Sequence, residues 1–171
     1  MIFVTVGTQG HFDRLIRTVD EWASVRGTPD IFAQIGPSEY CCRNIRAERF
    51  IDAGEFRKQV ESASLVVAHA GMGSIITALE LGKRILVMPR LASLGEHRNN
   101  HQVATAKRFA EQGRIEVAFS EQELAVKLNR LEVSGDNERL DAQASTCLIG
   151  AIRSFIETGH MRFDRDGLQR R

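Results

Sequence analysis

Short apolar runs alternate with amphipathic stretches along most of the chain. Runs of this kind are typical of strands buried on both faces of a parallel sheet, and they occupy residues 2–6, 31–35, 65–68 and 85–88. Shorter runs predict two further strands, at residues 49–51 and, as an edge strand, at 115–118. About six strands that alternate with helices predict an α/β fold, a Rossmann-like parallel sheet with helices on both faces.

Helices are predicted in the intervals between these strands. Their limits are marked by Phe12 and Trp22, by Gly54, by Gly71 and Gly82, and by Gly113. Ser120 and Glu123 have the spacing of a capping box, which predicts a further helix. A long final helix is expected over residues 140–155. We therefore expect one domain over residues 1–158, followed by a polar, mobile tail at 159–171.

The composition excludes several classes of protein. The 171 residues are 43% hydrophobic and 26% charged, which fits one soluble domain and excludes extensive disorder. A net charge of +1 argues against nucleic acid as a partner, and the sequence shows neither a membrane-spanning run nor a signal-peptide pattern. Cys41, Cys42 and Cys147 form no Cys-x-x-Cys pair, which favours a reduced, cytoplasmic protein.

The most informative motif joins the strand at residues 65–68 to the helix that follows it. Residues 69–74 read His-Ala-Gly-Met-Gly-Ser, and glycines before a helix let an anion approach the first-turn N–H groups. Ser74 can add a hydroxyl donor and His69 can donate to a phosphate oxygen, so the segment predicts a diphosphate site. A tight turn whose glycines serve only packing is the alternative. The spacing fits neither a Walker loop nor Gly-x-Gly-x-x-Gly, so no nucleotide cofactor is expected.

A second polar cluster precedes the next predicted helix. Residues 95–102 read Gly-Glu-His-Arg-Asn-Asn-His-Gln, and such groups at a helix start can hydrogen-bond sugar hydroxyls; a solvated helix entry is the alternative. His97 and His101 have the spacing of a metal pair, but Arg98 stands where zinc proteases have Glu and no third ligand is near, so no metal is expected.

The turn at residues 7–10, Gly-Thr-Gln-Gly, can bring further N–H groups to a ligand, or it is a plain flexible turn.

These motifs together resemble the C-terminal domain of family-28-type glycosyltransferases. The resemblance rests on residues 1–8, 12–15, 33–36, 69–74, 82–83 and 95–102, and it covers roughly residues 1–130. The chain is most similar to the small stand-alone subunits of two-part transferases, which build exopolysaccharides or dolichol-linked N-acetylglucosamine glycans. The resemblance implies the C-terminal half of a GT-B enzyme that binds a UDP-sugar donor.

The same resemblance implies an activity and partners. A hexose or N-acetylhexosamine would pass with inversion, without a metal or other cofactor, from the UDP-sugar to a lipid-linked acceptor. A membrane-associated glycosyltransferase subunit would bind the acceptor, supply the general base and hold this chain at the cytoplasmic face of the membrane. No nucleic acid is involved, the isolated chain is expected to be nearly inactive, and its exposed partner surface can give a homodimer.

The resemblance also assigns roles to individual residues. The turn at residues 69–74 would hold the diphosphate, with His69 as its stabiliser and with no catalytic residue assigned in this chain, and Asn100, His101 and Gln102 would contact the sugar. Thr77 departs from the family, which usually has an acidic residue there to bind the ribose. The expected donor-binding set is Gly7, Thr8, His69, Gly71, Met72, Gly73, Ser74, Thr77, Glu96, Asn100, His101 and Gln102.

The departure at Thr77 supports an alternative function. The chain would then be an accessory or regulatory subunit of such a transferase that has lost donor binding. A sugar-nucleotide epimerase would share the architecture but needs both halves in one longer chain, and a dehydrogenase is still less compatible with the motifs.

Overall fold

The structure is a computed structural model, and it describes residues 1–27 and 30–133. In these ranges six strands form one parallel sheet in the order β3-β2-β1-β4-β5-β6. The strands are β1 (Ile2–Thr5), β2 (Ile31–Gln34), β3 (Arg46–Glu48), β4 (Leu65–His69), β5 (Ile85–Met88) and β6 (Glu116–Val117). The predicted parallel sheet and the edge position of the strand near residue 116 are confirmed.

Within the described ranges, five α-helices connect and follow these strands. They are α1 (Asp13–Arg26), α2 (Ala53–Ser62), α3 (Met72–Glu80), α4 (His101–Glu111) and α5 (Glu121–Val133). A short 3₁₀ helix, Ala92–Leu94, interrupts the connection between β5 and α4. In the described ranges, no helix combines the length and the apolar composition that crossing a membrane requires.

Helices cover both faces of the sheet, and β1 shows why its sequence is apolar at every position. Val4 packs in the cluster that also contains Leu15 of α1 and Leu128 of α5. The neighbouring residue Phe3 points to the other face, where its ring meets the ring of Phe56 of α2 edge to face, with 5.6 Å between the centroids. Successive side chains of a strand alternate between faces, so a strand that is covered on both sides carries a continuous apolar run.

Two local predictions are corrected. β3 is formed by Arg46–Glu48 and not by residues 49–51, because this edge strand has no buried side chain and its pairing leaves no apolar pattern. The capping box at α5 is also altered. The Glu123 N–H donates to Ser120 Oγ at 3.2 Å as expected, but the Glu123 carboxylate accepts from the Phe119 N–H, one residue before the cap.

The strand order fixes the position of a crevice. β1 is followed in the chain by β2, which lies on one side of it, whereas β4 lies on its other side and leads on to β5. Ligands of open α/β sheets bind outside the carboxyl ends of the strands at such a switch point. The turns after β1 and β4 meet there. The predicted final helix and the tail from residue 159 lie outside the described residues.

Candidate functional site

The His69 side chain sits between two glycines that belong to different strand ends. A Cβ atom added to Gly7, after β1, would lie 2.7 Å from His69 Cε1, and one added to Gly71, after β4, would overlap His69 Nε2 still more closely. Gly7 also has a backbone φ of +73°, which side chains rarely adopt. The imidazole therefore occupies the space that two side chains would otherwise fill.

Burial keeps the His69 imidazole neutral at physiological pH. The pKa of His69 is lowered from 6.5 to about 4, mainly by desolvation and then by the positive charge of Arg90, against the opposing effect of the Thr5 carbonyl. The Nδ1 atom is buried and has no hydrogen-bond partner in the described part of the chain. The described residues thus leave the hydrogen-bonding capacity of this ring atom unused.

The N-terminus of α3 has no side-chain cap. Gly71 is the N-cap residue, and no side chain hydrogen-bonds the first turn. Ser74 is only 7% exposed. Thr77 donates its hydroxyl to the Gly73 carbonyl at 2.9 Å, within the helix. An uncapped helix start presents N–H donors and the positive end of the helix dipole, so this end of α3 is suited to an anion.

The β1–α1 loop has a rigid base and an exposed tip. The Thr5 hydroxyl donates to Gln34 Oε1 at 2.6 Å, and the Gln34 amide donates to the Gly7 carbonyl at 2.8 Å. The Gly7 N–H donates in turn to the Thr5 hydroxyl oxygen at 3.2 Å. Thr8, at the tip, is exposed. The buried side chains of β1 and β2 therefore fix where the loop leaves the sheet.

Arg90, two residues after the end of β5, belongs to the site although it is absent from the set of residues predicted from the sequence. It is 2% exposed, and its guanidinium donates to the carbonyls of Val6 and Gly10, both at 2.9 Å, and to that of Gln9. The guanidinium carbon lies 5.3 Å from the centre of the Phe12 ring. No local sequence signal indicates this role, because the contacts span 80 residues or more of the chain.

The polar cluster at residues 95–102 divides into engaged and exposed side chains. The Glu96 carboxylate binds the Arg14 guanidinium through both oxygens, at 2.7 and 2.9 Å, and accepts from the Leu91 N–H at 2.8 Å. Asn100 accepts from the Ala92 N–H through Oδ1 at 3.0 Å. His101 is exposed, with Nδ1 against the Asn99 side chain. Glu96 and Asn100 therefore already serve the fold of the loop.

Gln102 is the buried member of this cluster. It is 4% exposed, and its Oε1 accepts the backbone N–H of Arg90 at 3.2 Å. The carbonyl half of the side-chain amide is thus engaged, and the NH₂ half remains as a donor. Through Arg90, the start of α4 is connected to the β1–α1 loop.

The predicted donor-binding residues fall at three neighbouring strand ends. Gly7 and Gly71 both lie within contact range of His69, and the charge of Arg90 acts on His69. Thr8 contributes only an exposed position on the loop. In the described ranges no group of three or more His, Cys, Asp or Glu side chains is placed to hold a metal ion. His97 and His101 lie edge to face, with 4.4 Å between the ring centroids.

Comparison with known sequences identifies the family. The sequence model of the glycosyltransferase family 28 C-terminal domain matches residues 1–154. The UDP-N-acetylglucosamine transferase subunit ALG13 of Homo sapiens is 30% identical over 124 residues, which are 67% of this chain and 10% of that protein. The subunit of the same name from Mus musculus is 31% identical over 123 residues, 66% of this chain and 10% of that protein. The chain spans about a tenth of the length of these relatives.

Solved structures show the same fold. The match to the solution structure of ALG13 has a TM-score of 0.60 at 22% sequence identity, and it covers 92% of this chain and 95% of the ALG13 chain. The MurG of Acinetobacter baumannii has a TM-score of 0.58 at 18% identity, covering 84% of this chain and 43% of that one. These matches confirm the Rossmann-like fold of one half of a GT-B glycosyltransferase. With a family match that extends over most of its length, the chain belongs to the glycosyltransferase family 28 C-terminal domain family.

Proposed function

We propose that this chain is the donor-binding subunit of a glycosyltransferase that uses a UDP-sugar. The observation that carries the proposal is the uncapped start of α3 beside a neutral, partly buried His69 at the switch point of the sheet. The sequence likeness to a subunit named as a UDP-N-acetylglucosamine transferase subunit supports the class of donor. The sugar would be a hexose or N-acetylhexosamine, and the acceptor a lipid-linked intermediate of exopolysaccharide or glycan synthesis.

The diphosphate would bind at the start of α3. The first-turn N–H groups of Met72, Gly73 and Ser74 would face the phosphate oxygens, and the Ser74 hydroxyl would add a donor. His69, held neutral, would contribute a hydrogen bond and no full charge. As the bond between sugar and UDP breaks, negative charge grows on the diphosphate, and fixed donors in a water-poor site stabilise it. We propose that this arrangement does without a metal ion and that the sugar is transferred with inversion.

The sugar would lie toward the start of α4. The Gln102 carbonyl oxygen is engaged by Arg90, so its NH₂ group would donate to a sugar oxygen. His101, which is exposed, would make further contacts with sugar hydroxyls. Glu96, whose carboxylate is held by Arg14, would act on the sugar only by shaping the loop.

The acceptor side of the reaction would come from a partner. Two carboxylates near the site are already ion-paired, since Arg14 lies 2.7 Å from a Glu96 oxygen and 3.5 Å from a Glu121 oxygen. A general base for the acceptor hydroxyl would therefore come from a membrane-associated subunit, which would also hold this chain at the cytoplasmic face of the membrane. Alone, the chain would be nearly inactive, and its uncovered partner surface would allow a homodimer.

Calorimetric titration of the purified chain with UDP and with several UDP-sugars tests the proposal. Ser74→Ala and Gln102→Ala would each remove one hydrogen bond to the ligand. A hydrogen bond to a charged phosphate contributes more than one between neutral groups, so we expect Ser74→Ala to raise the dissociation constant for UDP about tenfold. Gln102→Ala should weaken the UDP-sugar more than UDP. Ser62→Ala, an exposed serine on α2, is the matched control. Saturable binding that neither site variant weakens would contradict the proposal.

A second candidate function rests on Thr77. Its hydroxyl is bound to the Gly73 carbonyl, and it offers no carboxylate for ribose hydroxyls, so the chain would be an accessory subunit without a donor. Absence of UDP binding at millimolar concentration by the folded chain, alone and with its partner, would favour this function.

A further inference from the structure

Arg90 carries a buried positive charge that packing alone does not explain. Among the described residues, Asp20 and Arg90 are the charged side chains that are buried. The three hydrogen bonds of the Arg90 guanidinium go to main-chain carbonyls, and Nε is buried without a partner in the described part of the chain. Burying a cation has a desolvation cost, which the carbonyls, the Phe12 ring and the negative charge of Glu96 offset.

The carbonyl contacts determine which way the loop amides face. In a trans peptide the C=O and the following N–H point in opposite directions. The carbonyls of Gln9 and Gly10 point at the Arg90 guanidinium, so the N–H groups of Gly10 and His11 point away from it. Both residues are exposed. Arg90 thus turns two backbone donors of the β1–α1 loop outward, at the end of β1 and beside the crevice.

Arg90 also joins this loop to the other parts of the site. Its backbone N–H binds the Gln102 side chain at 3.2 Å, which links β5 to the start of α4. Its charge acts on His69, at the end of β4. One residue therefore contacts or influences the turns that follow all three central strands.

We propose that Arg90 is a positioning residue of the donor site, which orients the Gly10 and His11 amides toward an anionic ligand and adds its positive potential to the crevice. This inference rests on the proposed donor-binding function. The ligand chemistry is that of a nucleoside diphosphate, because outward N–H donors and a buried positive charge both favour phosphate oxygens.

Two substitutions separate the geometric part of the role from the electrostatic part. Arg90→Lys keeps the charge but loses the planar guanidinium that reaches three carbonyls. Arg90→Met keeps the chain length and loses the charge as well. With Arg90→Lys we expect the Gly10 and His11 amide resonances to shift and the dissociation constant for UDP to rise about tenfold. With Arg90→Met we expect at least the same loss, together with a rise in the pKa of His69.

The His69 titration is the readout that a purely structural residue would not move. Arg90 and His97 are the charged or titratable groups that act on the ring, and the Thr5 carbonyl opposes them. NMR titration of His69 should therefore give a pKa that is unchanged in Arg90→Lys and raised in Arg90→Met. Arg57→Met, which removes an exposed arginine paired with Glu61 on α2, is the control for loss of charge elsewhere.

Gly10→Ala tests the same contact from the loop should the Arg90 variants fail to fold. A Cβ at Gly10 would lie 3.3 Å from Arg90 Nη1, at a φ of +73°, so it disturbs the loop without opening the core. We again expect UDP binding to weaken about tenfold. UDP binding within twofold of the wild type in Arg90→Lys, or in Gly10→Ala if that variant alone folds, would overturn the proposal.

The ligand-free measurements keep this inference separate from the proposed function. If the wild-type chain binds no UDP, either alone or with its partner, the donor-binding function fails, yet the amide shifts and the His69 titration still report on Arg90. If the wild type binds UDP and Arg90→Lys leaves the Gly10 and His11 amides unmoved, the positioning role fails and the donor-binding function stands.

Discussion

The buried neutral state of His69 makes the stability of the protein depend on pH. The pKa of His69 is about 4 in the folded chain and close to 6.5 when the ring is exposed. Between these values the unfolded state binds more protons than the folded state. The contribution of His69 to the free energy of unfolding is therefore fully present above pH 6.5, and it falls as the pH is lowered toward 4. The pKa difference corresponds to about 3 kcal/mol in total, of which about 2 kcal/mol would be lost at about pH 5.

Urea unfolding at about pH 7.5 and about pH 5 measures this loss. Trp22, the one tryptophan of the chain, is buried, and its indole N–H donates to Asn129 Oδ1 at 2.9 Å, so its fluorescence reports on the contact between α1 and α5. His69→Asn lacks the titrating ring and should lose about 2 kcal/mol less than the wild type between the two pH values. Any cost of the substitution itself cancels, because each protein is compared with itself. Equal losses in the two proteins would refute the buried, neutral imidazole.

Three further substitutions test the site. Gly71→Ala should displace His69 and destabilise the fold by about 1–3 kcal/mol in thermal or urea unfolding, because its Cβ would overlap Nε2; unchanged stability would contradict the geometry. Gly73→Ala meets no atom within 4 Å, so stability should hold or rise by up to about 1 kcal/mol, whereas UDP titration should show weaker binding. Thr77→Glu should strengthen binding of UDP severalfold but not that of 2′-deoxy-UDP; the same gain for both ligands would argue against ribose recognition at this position.

The sequence predicts the central part of the fold well because burial leaves a pattern. β1, β4 and β5 are covered on both faces, so their apolar runs mark them within one residue. β3 is an edge strand held by backbone hydrogen bonds, and its exposed residues at 46–48 carry no such pattern. The apolar pair at Phe50 and Ile51 therefore drew the prediction away from the strand.

The candidate site is predictable where it is local and not where it is assembled by distant contacts. The turn at residues 69–74 is visible because strand, glycines and helix follow one another. Arg90 is not visible, since its partners lie in the loop after β1. Glu96 belongs to the expected donor-binding set, and its carboxylate is bound to Arg14, 82 residues away in the chain. Its expected contact with the donor stays a prediction.

The packing of His69 between Gly7 and Gly71 has a consequence for protein engineering. The functional unit is discontinuous in sequence. The turn at residues 69–74 can hold His69 only because Gly7, more than sixty positions earlier in the chain, has no side chain. Grafting this turn onto another sheet would not transfer its properties unless the neighbouring strand ended in a glycine with the same backbone conformation. Among natural relatives, the residue types at these two glycine positions and at the histidine position should accordingly covary.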